Sequence, residues 1–142
     1  LLALNRRSVE VQFFNLCDSD HWVTGDPQRL AQVLINLLSN ARDASPPRSA
    51  IRVKSEVFEH TIDLIVEDEG SGIPKAIIDR LFEPFFTTKP GEKGLGLGLT
   101  LSASLAAAAA GSLTVQHPDS GGTTFELNLP KAVIRQENPS HE

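Results

Sequence analysis

A chain of 142 residues, 40% hydrophobic and 22% charged, is long enough for one domain with its own core, without disulfides or a structural metal. Its formal charge of -5, with basic residues dispersed apart from Arg6-Arg7, argues against a general nucleic-acid role. Cys17 has no internal partner, no Cys/His pair has zinc-site spacing, and no apolar run is long enough to span a bilayer. The start lacks the features of a signal peptide, and the absence of methionine leads us to expect a fragment or a processed product. The lone cysteine fits a reducing compartment.

Residues 1–8 read as the end of a linker. Val9–Leu16 and Trp22–Thr24 read as two short strands joined by the polar turn at residues 17–20. Asp26 is then a plausible N-cap, with Pro27 at the first helical position, and the helix should run to about Ala44. Leu30, Val33, Leu34, Leu37, Leu38 and Ala41 recur at spacings of three and four, as a buried face requires. Ile51–Glu59 and Thr61–Asp68 read as a hairpin around His60, followed by a turn and a short helix from Lys75 to Leu81. Residues 83–94 read as a loop. Gly96 or Gly98 begins a helix lasting to Ala110, with Gly111 as its C-cap. Leu113–His117 and Thr123–Leu129 form a final hairpin, and residues 131–142 read as a flexible tail. Five or six strands, mostly in hairpins, and about three helices predict an α/β two-layer sandwich: a mixed, mostly antiparallel sheet with helices on one face.

Four groups of residues invite a chemical reading. Gln32, Asn36, Asn40 and Asp43 form one polar stripe on the first long helix, opposite much of its apolar face. The stripe is either a solvated surface or a magnesium site, since carboxamide oxygens are hard ligands and Mg²⁺ takes few of them from protein. In the segment Asp68–Ile73, period-two alternation places Asp68 on the face shared by Ile62, Leu64 and Val66, where a carboxylate is costly unless hydrogen-bonded. It points into a pocket and could accept an amine hydrogen, with Gly70 and Gly72 allowing close backbone approach; an ordinary Asp/Gly turn is the other reading. Gly94-Leu95-Gly96-Leu97-Gly98-Leu99 opens a helix with free N–H groups, a phosphate-binding device that is neither a Rossmann fingerprint nor a Walker A loop. Lys89 and Lys93 either reach those phosphates or are solvated surface lysines. Phe82, Phe85 and Phe86 read as a hydrophobic hinge, a docking patch or a plain core cluster. At Gly121-Gly122-Thr123, Thr123 could point inward to support Asp68 or a nucleotide, and a simple hairpin turn explains the two glycines equally well.

In order and spacing, these groups together resemble the catalytic and ATP-binding domain of bacterial histidine kinases, within the wider family of gyrase, heat-shock protein 90 and MutL ATPases. Val33–Ala41 looks like the N box, Asp68–Gly72 the G1 box, Phe82–Phe86 the F box, Gly94–Leu99 the G2 box and Gly121–Thr123 the last glycine box. The resemblance covers about residues 9–130 and implies a Bergerat fold binding Mg-ATP. By resemblance Asn40 holds magnesium, with Asn36 close by as a second catalytic position. Asp68 reads the adenine amino group, and Asp43, Gly70, Gly72, Ile73 and Thr123 border the nucleotide. Gly94, Leu95, Gly96, Leu97, Gly98 and Leu99, with Lys89 and Lys93, surround the phosphates, and residues 84–94 form the lid. The short lid with Phe-Phe-Thr-Thr-Lys resembles the nitrogen-regulation and dicarboxylate-sensor branch.

What the resemblance implies is transfer of the ATP γ-phosphoryl group to a histidine on a separate helical dimerisation domain, and from there to a response-regulator receiver. None of His21, His60, His117 or His141 has the phospho-acceptor's setting, so the chain should not complete autophosphorylation alone. It should be monomeric and cytoplasmic, with no contact to nucleic acid or membrane, whether or not its parent is anchored in the inner membrane. A nucleotide-binding module without kinase activity remains open. A gyrase-type or MutL-type ATPase would need a glutamate on the Asn40 helix, which has none, and Phe82–Phe86 disfavours an anti-sigma serine kinase.

Overall fold

The structure is a computed structural model, and it describes residues 9–15, 21–73, 75–83, 98–118 and 121–132. Strand β1 (Glu10–Asn15) is followed by helix α1 (Pro27–Ala44), strands β2 (Ala50–Val57) and β3 (Thr61–Glu67), the short helix α2 (Lys75–Ile78), helix α3 (Gly98–Ala108), and strands β4 (Ser112–Gln116) and β5 (Thr124–Pro130). The five strands form one sheet in the order β1-β2-β3-β5-β4. The β2–β3 and β4–β5 pairs are the two expected hairpins, and β3 pairs antiparallel with β5 between them.

The two strands expected at Val9–Leu16 and Trp22–Thr24 do not pair with each other. β1 pairs in parallel with β2, from Glu10 opposite Ala50 to Asn15 opposite Ser55. A parallel neighbour needs a crossover, and α1 supplies it. Trp22–Thr24 is accordingly no strand: only Val23 makes an isolated bridge, to Lys131. The chain stays tied past β5, where Lys131 N–H donates to the His60 carbonyl and Ala132 N–H to that of Trp22. The expected turn at residues 17–20, the linker at 1–8 and the tail from 133 lie outside the described residues.

Helix α1 begins as its sequence dictates. Asp26 has extended backbone angles and accepts a hydrogen bond from Gln28 N–H at 2.9 Å, with Pro27 following it in the first turn. Val33, Leu37 and Ala41 are buried, flanked by half-buried Leu30, Leu34 and Leu38. They pack on Ile51, Val53 and Val66 of the sheet and on Phe125, Leu127 and Leu129 of β5. The helices lie on this one face. At the sheet edge, the β1 residues facing the same way are not covered, and Phe13 is 67% exposed.

Two helix ends depart from expectation. α2 has four residues, and the chain turns from Asp79 to Phe82. α3 ends in a Schellman motif whose left-handed residue is Ala110 (φ 60°), not Gly111: Ala110 N–H donates to Ala107 O at 2.9 Å and Gly111 N–H to Ala106 O at 2.8 Å. Gly111 is required for a different reason. A Cβ there would lie 2.2 Å from the Asn128 carbonyl oxygen of β5.

Candidate functional site

The covered face of the sheet runs out at one end, where β3 passes into Asp68 and β5 begins after Thr123. There the C-terminal half of α1, the segment after β3, α2 and the first turn of α3 surround a cavity of about 450 Å³. That volume is in the range of small-molecule sites. Asn40, Asp43 and Ala44 line it from α1, Asp68 and Thr123 from the sheet, and Ile73, Ile77, Leu81, Leu99 and Phe125 give it an apolar wall. A flat ring with an exocyclic amine suits this mixture: apolar on its faces, with polar groups at one edge and at one end.

Asp68 is the polar anchor. It is only 8% exposed. Its Oδ1 accepts hydrogen bonds from Gly70 N–H at 2.8 Å and Thr123 N–H at 3.1 Å. Both bonds fall on one oxygen, so Oδ2 has no protein partner among the described residues. Burial raises the Asp68 pKa above the ordinary aspartate value, and the two amide bonds partly offset the rise. The inward direction foreseen from alternation is realised, and Thr123 supports Asp68 as expected, though through its main chain. Asp68 N–H also donates to the Thr123 carbonyl at 3.0 Å.

The glycines serve the protein's own packing. A Cβ on Gly70 would lie 2.5 Å from the Ala44 carbonyl oxygen, and one on Gly122 would lie 2.1 Å from that of Asp68. Gly72 has φ +82°, and a Cβ there would lie 2.0 Å from the His117 ring. At Gly70 and Gly72, where the sequence suggested room for a ligand, the chain also approaches itself, and Gly72 lines the cavity as well.

The polar stripe of α1 divides. It does not lie opposite the apolar face but flanks it on the side of α3. Asn36 is turned to α3: its Nδ2 donates to Ser102 Oγ at 3.1 Å and Gly98 O at 3.4 Å, while Gln32 Nε2 donates to its Oδ1 at 2.9 Å. Asn40, one turn on, lines the cavity, and its side chain makes no protein hydrogen bond among the described residues. Asp43 lines the cavity beside it.

Of the expected site residues, the cavity brings together Asn40, Asp43, Asp68, Gly72, Ile73, Leu99 and Thr123. Asn36, Gly70 and Gly98 do not line it. Lys89, Lys93, Gly94, Leu95, Gly96 and Leu97 lie outside the described residues, as do Phe85 and Phe86. Phe82 packs against the core. Sequence reasoning missed Ile77 and Leu81. Their spacing of four, immediately after the glycine turn, was the available signal.

Hard oxygen donors at the Asn40 end fit Mg²⁺ held partly by phosphate oxygens. Among the described residues no group of three or more His, Cys, Asp or Glu could hold a metal ion by itself.

Residues 25–133 match the model of the histidine kinase-, DNA gyrase B- and HSP90-like ATPase family. The chain belongs to this family. ATP is the nucleotide that its description implies. The chain is 37% identical over 138 residues to the C4-dicarboxylate transport sensor protein DctB of Pseudomonas aeruginosa, covering 94% of this chain and 22% of that protein. It is 37% identical over 110 residues to sporulation kinase A of Bacillus subtilis, covering 78% of this chain and 18% of that protein. Among solved structures it matches the catalytic domain of histidine kinase ThkA with a TM-score of 0.78 and 27% identity, covering 91% of this chain and 83% of that one. This bears out the expected fold of a histidine-kinase catalytic domain. The chain spans about a fifth of the length of the two curated relatives named here. Among the described residues, no helix is long and apolar enough to cross a membrane.

Proposed function

We propose that the chain binds Mg-ATP in this cavity with the adenine amino group on Asp68, and that it is the catalytic part of a two-component sensor histidine kinase. The observation that carries the reading is the carboxylate of Asp68, held by two main-chain amides through one oxygen while the other has no protein partner. A carboxylate only accepts hydrogen bonds, so it favours an amine at that edge of the ring over a carbonyl. Ile73, Ile77 and Leu99 then lie against the ring, and Asn40 and Asp43 stand toward the phosphates. When magnesium is bound it neutralises phosphate charge, and Asn40 is the residue that holds it.

The chemistry asked of this domain is positioning and charge stabilisation. A lone-pair nitrogen of a histidine on the helical dimerisation domain attacks the γ-phosphorus. The P–N bond forms, the bond from the γ-phosphorus to the bridging oxygen breaks, and ADP leaves with that electron pair. An aspartate on the response-regulator receiver takes the phosphoryl group next. No glutamate on α1 is available to activate water, which favours kinase over ATPase chemistry. Mixing the chain with the helical domain of its parent and γ-labelled ATP tests the reading. Label on a histidine of the helical domain is expected; its absence, with ATP bound, would overturn the kinase assignment.

A further inference from the structure

Three segments meet behind the cavity: the turn after β3, the end of β4 and the turn before β5. One side chain joins them. His117, just past β4, lays its ring where a Cβ of Gly72 would be, with Cε1 at 2.0 Å and Nδ1 at 2.4 Å from that position. The same Nδ1 lies 2.8 Å from the Gly122 carbonyl oxygen. A carbonyl accepts, so Nδ1 carries the hydrogen and donates it. Gly122 in turn has φ +79° and packs on the Asp68 main chain, and the next residue, Thr123, donates its N–H to Asp68 Oδ1 at 3.1 Å. His117 itself does not line the cavity, whereas Gly72, Asp68 and Thr123 do.

We infer that His117 is a positioning residue for adenine recognition: its imidazole clamps the Gly72 turn to the Gly122 turn and so fixes where Asp68 presents its free oxygen. The inference rests on the assignment of Asp68 as the adenine reader. Two properties of imidazole suit the position. A thin ring edge fits against a backbone without a Cβ, and an N–H three bonds from Cα reaches the Gly122 carbonyl. The Asn side chain places an amide nitrogen the same number of bonds away, so it can restore the hydrogen bond without the ring.

Mg-ATP and Mg-GTP affinities are measured by titration calorimetry on the wild-type chain, His117→Ala, His117→Asn and Asp68→Asn, with thermal unfolding of each. We expect His117→Ala to weaken ATP binding about fivefold, the loss of one net hydrogen bond, and to narrow the ATP-over-GTP preference. His117→Asn should bind within about twofold of wild type. A general structural role would lower the unfolding temperature of both variants and leave nucleotide preference alone, and that result overturns the inference. So does an unchanged ATP affinity in His117→Ala when Asp68→Asn is weakened. Unchanged affinity in Asp68→Asn overturns the adenine assignment itself, and with it the role of His117.

Discussion

Strand β3 carries Ile62, Leu64 and Val66 beneath the helices, and Thr61, Asp63, Ile65 and Glu67 on the opposite side. The same alternation runs through β2 and β5, so one set of strands presents two different surfaces. The covered face is an aliphatic core in which Leu37, Ile51 and Leu127 are fully buried. The open face is a lattice of paired polar groups: Lys54 with Glu67 at 3.2 Å, Arg52 with Glu69 at 3.5 Å, and Asn128 with Asp63 at 2.7 Å. Stability comes chiefly from the first, because apolar burial outweighs ion pairs that solvent still partly screens. The cavity is where the covered face ends, and Asp68 is a carboxylate standing in a row of core side chains. Its cost is offset by main-chain amides and, in our account, by the ligand.

Truncating the covered face should produce the largest effect. Leu127→Ala removes a fully buried side chain and should cost about 2–5 kcal/mol, read from denaturant unfolding. Thr114→Ala on the open face should stay within about 0.5 kcal/mol. Comparable losses at the two positions would break the contrast between the faces.

A second effect should fall on binding. Because burial raises the Asp68 pKa, protonation of its carboxylate begins above the ordinary aspartate range. Protonation removes acceptor capacity toward an amine, so ATP affinity should decline on acidification from a pH higher than an exposed aspartate would give. Titrations across that range check it, and a flat profile contradicts it.

Asn36 sharpens the division within α1. Its bonds to Ser102 and Gly98 make it a tie between the two long helices, so Asn36→Ala should cost about 1 kcal/mol of stability. Asn40→Ala should change stability little and remove the magnesium dependence of ATP binding. Thermal unfolding and titration with and without Mg²⁺ separate the two positions.

The smallest effect belongs to the open face. Glu126 has a pKa pushed up to about 7 by its hydrogen bond to Asp63, then by burial and by the charges of Asp63 and Glu56. A raised carboxyl pKa means the folded state holds the proton more tightly. The group therefore costs nothing below its ordinary value of 4.5, its penalty grows as pH rises from there towards about 7, and above that the penalty is fully present and constant. Glu126→Gln should gain about 1 kcal/mol or less at pH 8, since Glu126 is only partly buried and solvent screens its charge, and little at pH 4.5. Unfolding at the two pH values checks this, and ATP affinity should not change.

Much of this was legible in local pattern. The spacing of Val33, Leu37 and Ala41 marked α1, and alternation from Ile62 to Asp68 placed a carboxylate at the end of a core row. What local pattern missed was long-range pairing. Val9–Leu16 followed by a polar turn reads as a hairpin, and only the sheet reveals that β1 joins β2 in parallel. Gly70 and Gly72 read as room for a ligand, and a sequence does not show that Ala44 and His117 also approach them. Ala110 takes the left-handed position expected of Gly111, and Gly111 is instead needed where the chain passes the Asn128 carbonyl, a contact with a distant strand that local pattern does not show.

The central claim is that Asp68 selects adenine in the cavity under α1 and α3. Competition of ATP and GTP for the chain, measured side by side with Asp68→Asn, tests it most directly. Our account predicts saturable one-to-one binding that prefers ATP, with the preference lost in the variant. Equal binding of the two nucleotides to the wild type, or an undiminished preference in Asp68→Asn, would contradict it.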